Sequence, residues 1–412
     1  MALEIRPITG EEFVAYNNID SAAFGTPVDT PEIEARRPIF EFDRSLAAFA
    51  DGEMVGSAGA YTFELTLPGG TTLSVPGVTW VAVLPTYRRR GILTAMMRRQ
   101  LDDFRERGEA VAVLTASESL IYSRFGYGMA TSQVWYEIDR RHAAFRAPFT
   151  PAEQEGRVRL ITHERAIDVY TTFYDRWRRT QPGAVGRGRA YWEFFLRNPL
   201  APVDGSGGRL YLMYESAAGA VEGIAHYRKK NTWEDGAPSG VVTVRDLLTT
   251  TRDAYTGLWR YLLTLDLVRT VQAPARPPDE PLRWMLADSR RLRTTRVVDD
   301  LWARILDVPA ALTARRYLTT GRLVFEISDG FRAETAGRYA LDASAAGAEC
   351  ARTDAGADLA LDIADLGAAY LGGVRFTTLA RAGRVRELRP GALRRADALF
   401  ASDPEPWCGT SF

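Results

Sequence analysis

Lysine is almost absent from this 412-residue chain: Lys229 and Lys230 are the only two, and arginine carries the remaining positive charge. That skew reads as a GC-rich coding bias rather than as chemistry. Excess charge of either sign is also missing, since 52 basic residues balance 52 acidic ones. There is thus no global electrostatic case for binding nucleic acid or an anionic membrane. Two cysteines, Cys350 and Cys408, make no disulfide framework. His142, His163 and His226 are scattered without ligand spacing, so no histidine-based metal site is expected. No apolar run approaches the roughly 20 residues that span a bilayer. The opening Met-Ala-Leu-Glu-Ile-Arg lacks the layout of a signal peptide. These absences lead us to expect a reduced, soluble, cytoplasmic protein without metal.

What is present is ordinary globular composition, 46% hydrophobic and 25% charged, in a chain long enough for two or three domains. The most informative stretch runs from Val78 to Thr94. Val78, Trp80, Val81 and Val83 supply β-branched and aromatic residues for a strand. Pro85 ends the pairing. Arg88, Arg89, Arg90 and Gly91 make a turn. Ile92, Leu93, Met96, Met97, Leu101 and Phe104 then recur at helical steps, and Gly108 is placed to cap the C-terminus. A basic turn opening a helix is an anion site, because free backbone N–H groups and the helix dipole point at the ligand. Guanidiniums add charge suited to phosphate oxygens. The same residues could be a plain basic surface turn. It is not a Walker A loop, having no Gly-Lys-Ser/Thr, and Gly126-Tyr127-Gly128 is not a dinucleotide fingerprint.

Arg88-Arg89-Arg90-Gly91-Ile92-Leu93 resembles the Arg/Gln-x-x-Gly-x-Gly/Ala pyrophosphate loop of the Gcn5-related N-acetyltransferases (GNAT), with Leu93 in place of a small residue. About thirty residues on, Tyr122-Ser-Arg-Phe-Gly126-Tyr127 is similar to that superfamily's Tyr-x-x-x-Gly-Phe element, with Tyr for Phe. The longer string from Ala116 to Gly128 resembles the Eis ("enhanced intracellular survival") family of multi-site amine acetyltransferases. The resemblance covers the whole chain, and its sharp motifs lie in the first third.

Leu3 to Ile8 reads as a strand, Thr9-Gly-Glu-Glu12 as a capping box for a helix to Ala23, and Thr30-Pro31 as the start of a second helix. A hairpin around Asp51-Gly52 and a closing strand over Met129–Ile138 complete a mixed α/β domain, and Ala147–Gly156 reads as a linker. The middle third repeats the strand–turn–helix order over Val241–Leu267 without an Arg-x-x-Gly turn, and Pro274–Pro281 reads as a proline-rich loop. From about Arg290 a helix after Pro309 and strands over Arg322–Ser328, Arg338–Ala343 and Asp358–Ile363 follow. The expected class is α+β: a catalytic GNAT domain (1–146), a degenerate GNAT-like domain (147–289) and a sterol-carrier-protein-like domain (290–412). The last two identities, and a homohexameric assembly, are what the Eis resemblance implies.

Acetyl transfer from acetyl-CoA requires a held pantetheine, a neutralised pyrophosphate, a base for the amine and an acid for the leaving thiolate. The resemblance places Val81, Ala82 and Val83 along the pantetheine, Arg88 through Thr94 (Arg89, Arg90, Gly91, Ile92 and Leu93 between them) on the pyrophosphate, and Ser117 and Glu118 along the cofactor. Tyr122, with a reference pKa near 10, is protonated at neutral pH and is the expected acid. Tyr127 is expected to pack. The Eis family uses the carboxylate of a C-terminal Phe as base, and Phe412 matches it; Ser411 stands where an acidic residue is expected. The alternative for such a tail is simple fraying. Phe24 and Trp80 fall where the family lines its acceptor pocket. Asp29, Glu32, Glu34, Glu41 and Asp43 would attract a polycationic amine, or form a solvated acidic face. Aminoglycoside-like polyamines are the expected acceptors, with protein amines as runner-up. A lipid or acyl carrier and a non-catalytic acyl-CoA sensor are the readings from other classes.

Overall fold

The computed structural model describes residues 2–26, 29–149, 156–197 and 205–412. Its internal contacts gather into two units. The first comprises Met1–Thr131, Gln181–Val185 and Asp299–Phe412; the second comprises Ser132–Thr180 and Gly186–Val298. Among the described residues no helix is long and apolar enough to cross a membrane.

In the first unit β1 (Leu3–Pro7), β2 (Leu46–Ala50), β3 (Glu53–Thr66), β4 (Thr72–Val83) and β5 (Val111–Thr115) lie side by side in chain order. The next strand is Leu301–Ile305, and only then comes β6 (Gly128–Met129). Helix α1 (Phe13–Phe24) begins after Glu12, whose carboxylate accepts the Thr9 N–H at 2.9 Å and pairs with Arg6 at 2.7 Å. The predicted box is therefore half realised, and the helix starts four residues after its Thr9. Helix α2 (Thr30–Glu34) is capped by Asp29 rather than Thr30, the Asp29 carboxylate accepting from Glu32 N at 3.3 Å. Helix α3 (Ile92–Glu106) buries Ile92, Met96, Met97, Leu101 and Phe104, the apolar face that its spacing predicts.

The expected closing strand over Met129–Ile138 does not form as one piece. It stops at Met129, and residues Ser132–Asp139 pair with Val268–Arg276 in the sheet of the second unit. The gap beside β5 is filled instead by Leu301–Ile305, antiparallel to both β5 and β6. The exchange is matched in the second sheet, where Ser132–Asp139 lies between Val268–Arg276 and Arg293–Asp299. Residues 293–299, expected in the C-terminal domain, thus belong to the second sheet.

The remainder of the second sheet is formed by Gly240–Thr249, Val221–Lys230, Leu210–Glu215 and Arg157–Ile161. Helix Arg252–Leu263 follows Gly240–Thr249, as α3 follows β4. The predicted Pro274 loop is instead part of strand Val268–Arg276. The register shifts between Ala273 and Arg276, and an irregularity there tolerates a proline that a regular ladder would reject. The predicted linker falls mostly on residues 150–155, outside the described set.

Strands Gly347–Arg352, Gly337–Ser344, Gly321–Ser328, Leu359–Asp362 and Val385–Glu387 form a third sheet, again within the first unit. Its core is continuous with that of the first sheet: Leu323, Phe325, Leu341 and Leu366 cluster with Val111, Val113, Leu301 and Ile305. Helix Ile363–Ala369 lies directly on the exchanged strand. A Cβ on Gly367 would stand 2.3 Å from the Ala303 carbonyl, and one on Gly128 would stand 1.8 Å from the Ala364 carbonyl. Only glycine permits that approach. Phe325, Phe376, Phe400 and the buried guanidinium of Arg315 fill the interior beneath this sheet.

Candidate active site

β4 and β5 begin as a parallel pair and then part. They are in register at Gly77 with Val113 and at Val78 with Leu114. Two residues further on, Trp80 adopts a φ of 49°, a conformation costly for an aromatic residue. The β3–β4 register slips opposite it, between Ser57 and Gly59, and the Ser57 hydroxyl donates to the Trp80 carbonyl at 2.8 Å. This bulge turns Val81, Ala82 and Val83 away from β5. A cavity of about 630 Å³ opens in the wedge. Its walls include Val81, Ala82 and Val83 on one side and Ser117, Glu118 and Tyr122 on the other.

The mouth of this cavity is the basic turn. Gly91, at φ 82°, precedes α3, whose first turn has no side-chain cap. Arg88, Arg89, Gly91, Ile92, Leu93 and Thr94 all line the cavity. Arg88 donates to the Val83 and Ala23 carbonyls at 3.4 and 3.1 Å, tying the turn to the end of α1. Arg89 is exposed and holds a φ of 63°. Arg90 differs from the expectation. It is not among the lining residues, and its guanidinium donates to the Thr86 carbonyl at 3.1 Å above the Tyr87 ring. An exposed helix N-terminus beside two guanidiniums, opening into an elongated wedge between strands, suits a pyrophosphate joined to an extended chain.

Tyr122 lies on the inner wall, 6% exposed, at the end of the short helix Ser119–Tyr122. Burial pushes its phenol up to about 12; the Ser117 hydroxyl, hydrogen-bonded to it, works against that shift, and the Glu118 charge adds to it. The group is therefore a loaded proton donor at any physiological pH. Tyr127 packs edge-on against it, centroids 6.1 Å apart, and is wholly buried as expected. Ala23, Tyr87, Ile121 and Arg124 also line the cavity and were not singled out from the sequence. Arg124 lies inside the Tyr-x-x-x-Gly motif, where its spacing from Tyr122 was a usable signal.

The C-terminal tail is docked. Trp407, Cys408 and Thr410 are buried, and the Phe412 ring meets the Phe63 ring with centroids 5.0 Å apart. The Thr115 hydroxyl, at the end of β5, donates to a Phe412 main-chain oxygen at 3.5 Å. Phe412 thus reaches the point where β5 ends and the segment to Tyr122 begins, although it is not among the residues lining the cavity.

The residues expected at the acceptor are divided. Phe24 is 54% exposed and lines the cavity. Trp80 does not line it, and stacks on Phe40 at 4.9 Å, with Tyr61 at 5.1 Å on another side. Asp29 is occupied as the α2 cap. Glu34 pairs with Arg37 at 2.6 Å and Asp43 with Arg107 at 3.0 Å, while Glu41 accepts from the Thr62 amide and hydroxyl. Much of the expected acidic face therefore holds local structure together.

Comparison with known proteins follows the same lines. Family models described as an acetyltransferase (GNAT) domain match residues 4–130 and 183–305, and one described as a sterol carrier protein domain matches 308–409. A Streptomyces avermitilis protein named an uncharacterized N-acetyltransferase is 39% identical over 413 residues, with both chains fully covered. N-acetyltransferase Eis of Mycobacterium tuberculosis is 39% identical over 355 residues, covering 85% of this chain and 84% of its own. The crystal structure of Eis1 from Mycobacterium abscessus superposes with a TM-score of 0.88 at 35% identity, over 99% of this chain and 100% of the other.

Proposed function

Since the chain belongs to the Eis family of Gcn5-related N-acetyltransferases, we propose that it transfers acetyl from acetyl-CoA to amines of polycationic small molecules, aminoglycosides among them. The observation that carries this reading is the wedge between β4 and β5, with the basic turn at its mouth and Tyr122 on its wall. Strand residues 81–83 offer backbone groups to the pantetheine amides, and the α3 N-terminus with Arg88 and Arg89 meets the pyrophosphate. The amine attacks the thioester carbon directly. The terminal carboxylate of Phe412 takes the amine proton, directly or through water, and Tyr122 donates its proton to the departing thiolate. Cys408 is buried in the tail and Cys350 lies on a strand of the third sheet, so neither is placed as a nucleophile for a covalent intermediate. The filled interior beneath the third sheet favours this reading over a lipid carrier.

The test is free CoA release with acetyl-CoA and a panel of aminoglycosides and polyamines. The chain ending at Phe412 is compared with one extended by a single residue, which displaces the terminal carboxylate. Turnover by the first and loss in the second, with acetyl-CoA binding equal in both, is the expected outcome. Turnover unaffected by extension removes Phe412 as base. No release with any amine removes this acceptor class.

A further inference from the structure

Asp300 is a buried carboxyl group whose three donors include two from the tail. It is 5% exposed, and its Oδ2 accepts from the Thr131 hydroxyl at 3.2 Å, the Cys408 amide at 3.1 Å and the Gly409 amide at 3.3 Å. No arginine or lysine is paired with it among the described residues. Burial pushes it up to about 6, against the pull of the Gly409 and Cys408 amides and the Thr131 hydroxyl. At neutral pH and above it is ionised, so it can only accept.

We propose that Asp300 is a positioning residue for acetyl transfer: by holding the Cys408 and Gly409 amides it sets Phe412 at the end of β5. The proposal rests on the reading of the Phe412 carboxylate as base. The tail leaves the last helix, Ala392–Phe400, and twelve extended residues would let its end wander over about 40 Å. From Gly409 only three residues remain, a reach of about 10 Å. Anchoring there confines the terminal group and keeps the base at high effective concentration beside the reacting amine.

Further contacts hold the tail upstream. The Trp407 amide donates to the Pro182 carbonyl and the Gln181 side chain donates to the Glu405 carbonyl, both at 2.9 Å. They hold residues 405–407, immediately upstream of the two amides that Asp300 accepts. Thr131 orients the carboxylate from behind, its carbonyl accepting the Asp300 amide at 3.1 Å and its hydroxyl accepting the Leu301 amide at 2.9 Å.

The experiment combines two readouts on the full chain ending at Phe412. Carboxypeptidase release of Phe412 reports docking without reference to catalysis, and kcat with a saturating amine reports the reaction. Asp300→Ala is expected to speed release at least tenfold and lower kcat at least tenfold, with acetyl-CoA affinity within twofold. Asp300→Asn, which retains an acceptor oxygen, is expected to recover part of both. Combining Asp300→Ala with a one-residue extension should cost no more than about threefold beyond the extension alone, because both displace the same group. Should Asp300→Ala not fold, Thr131→Val loosens the same carboxylate and carries the same expectation in smaller measure. Unchanged release overturns the anchor and leaves the base reading standing. Faster release with unchanged kcat overturns the catalytic role and removes the terminal carboxylate from the mechanism.

Discussion

The Phe412 ring meets Phe63 edge-on, with planes inclined by 64°, and Gly77 of β4 leaves the room for both. A Cβ at Gly77 would fall 2.5 Å from the Phe63 ring and 3.1 Å from the Phe412 ring. Gly77→Ala must therefore push the two rings from their places. We expect kcat to fall at least tenfold while acetyl-CoA affinity stays within threefold. Isothermal titration alongside turnover separates the two, and equal loss of both would show that the wedge itself had collapsed.

Tyr122→Phe removes the phenolic proton and keeps the ring in its packing. The expected fall in kcat is about 10²–10⁴, the usual worth of general acid catalysis, with little change in cofactor affinity. Because burial holds this phenol up to about 12, no loss of activity below pH 10 should come from its ionisation. A pH–rate profile of the native protein checks that.

Arg88 and Arg89 are the two guanidiniums of the turn that reach the cavity. Replacing Arg89 with alanine should raise the Kd of acetyl-CoA by about tenfold or more, the loss of a charge-assisted contact of about 1.5–3 kcal/mol. Added salt should weaken native binding more than it weakens that variant. Arg90→Ala, whose guanidinium is turned onto Thr86, should leave the Kd within twofold.

In the second unit His226 is buried against Asp246, Nε2 to Oδ2 3.2 Å, and Arg187 holds the other carboxylate oxygen at 2.9 Å. Burial pushes the imidazole down to about 4. Asp246 would be raised by burial, but Arg187 and His226 hold it below the usual range. Between pH 6.5 and 4 the unfolded imidazole binds a proton that the folded one refuses. Stability is thus complete above 6.5 and declines as pH falls towards 4, by up to about 3 kcal/mol. His226→Gln should flatten that part of the acid-unfolding curve, followed by intrinsic fluorescence.

The wedge was legible because its determinants are local. The arginine turn, Gly91, the apolar face of α3 and the Tyr122 motif lie within about forty residues of one another, and Arg88, Arg89, Gly91 and Tyr122 come together at one cavity while Arg90 does not. A run of three arginines does not say which of them the turn aims inwards. The strand exchange was not legible, since Leu301–Ile305 is as good a strand for one sheet as for the other. Only pairing over a long stretch of chain decides its place. The Pro274 strand was hidden by a residue that argues against pairing unless an irregularity is foreseen. The acidic residues stayed open between two readings because composition does not distinguish a carboxylate facing a cavity from one already hydrogen-bonded to Thr62 or paired with Arg37.

The exchanged strand also imposes an order on synthesis. β6 ends at Met129 and its neighbour begins at Leu301, so about 170 residues must leave the ribosome before the first sheet can close. At about 5–20 residues per second the nascent chain waits on the order of ten to thirty seconds with the inner edge of β5 unpaired. Throughout that interval the finished arginine turn and Tyr122 segment belong to an unfinished sheet, and its open edge is a target for chaperones and for neighbouring nascent chains.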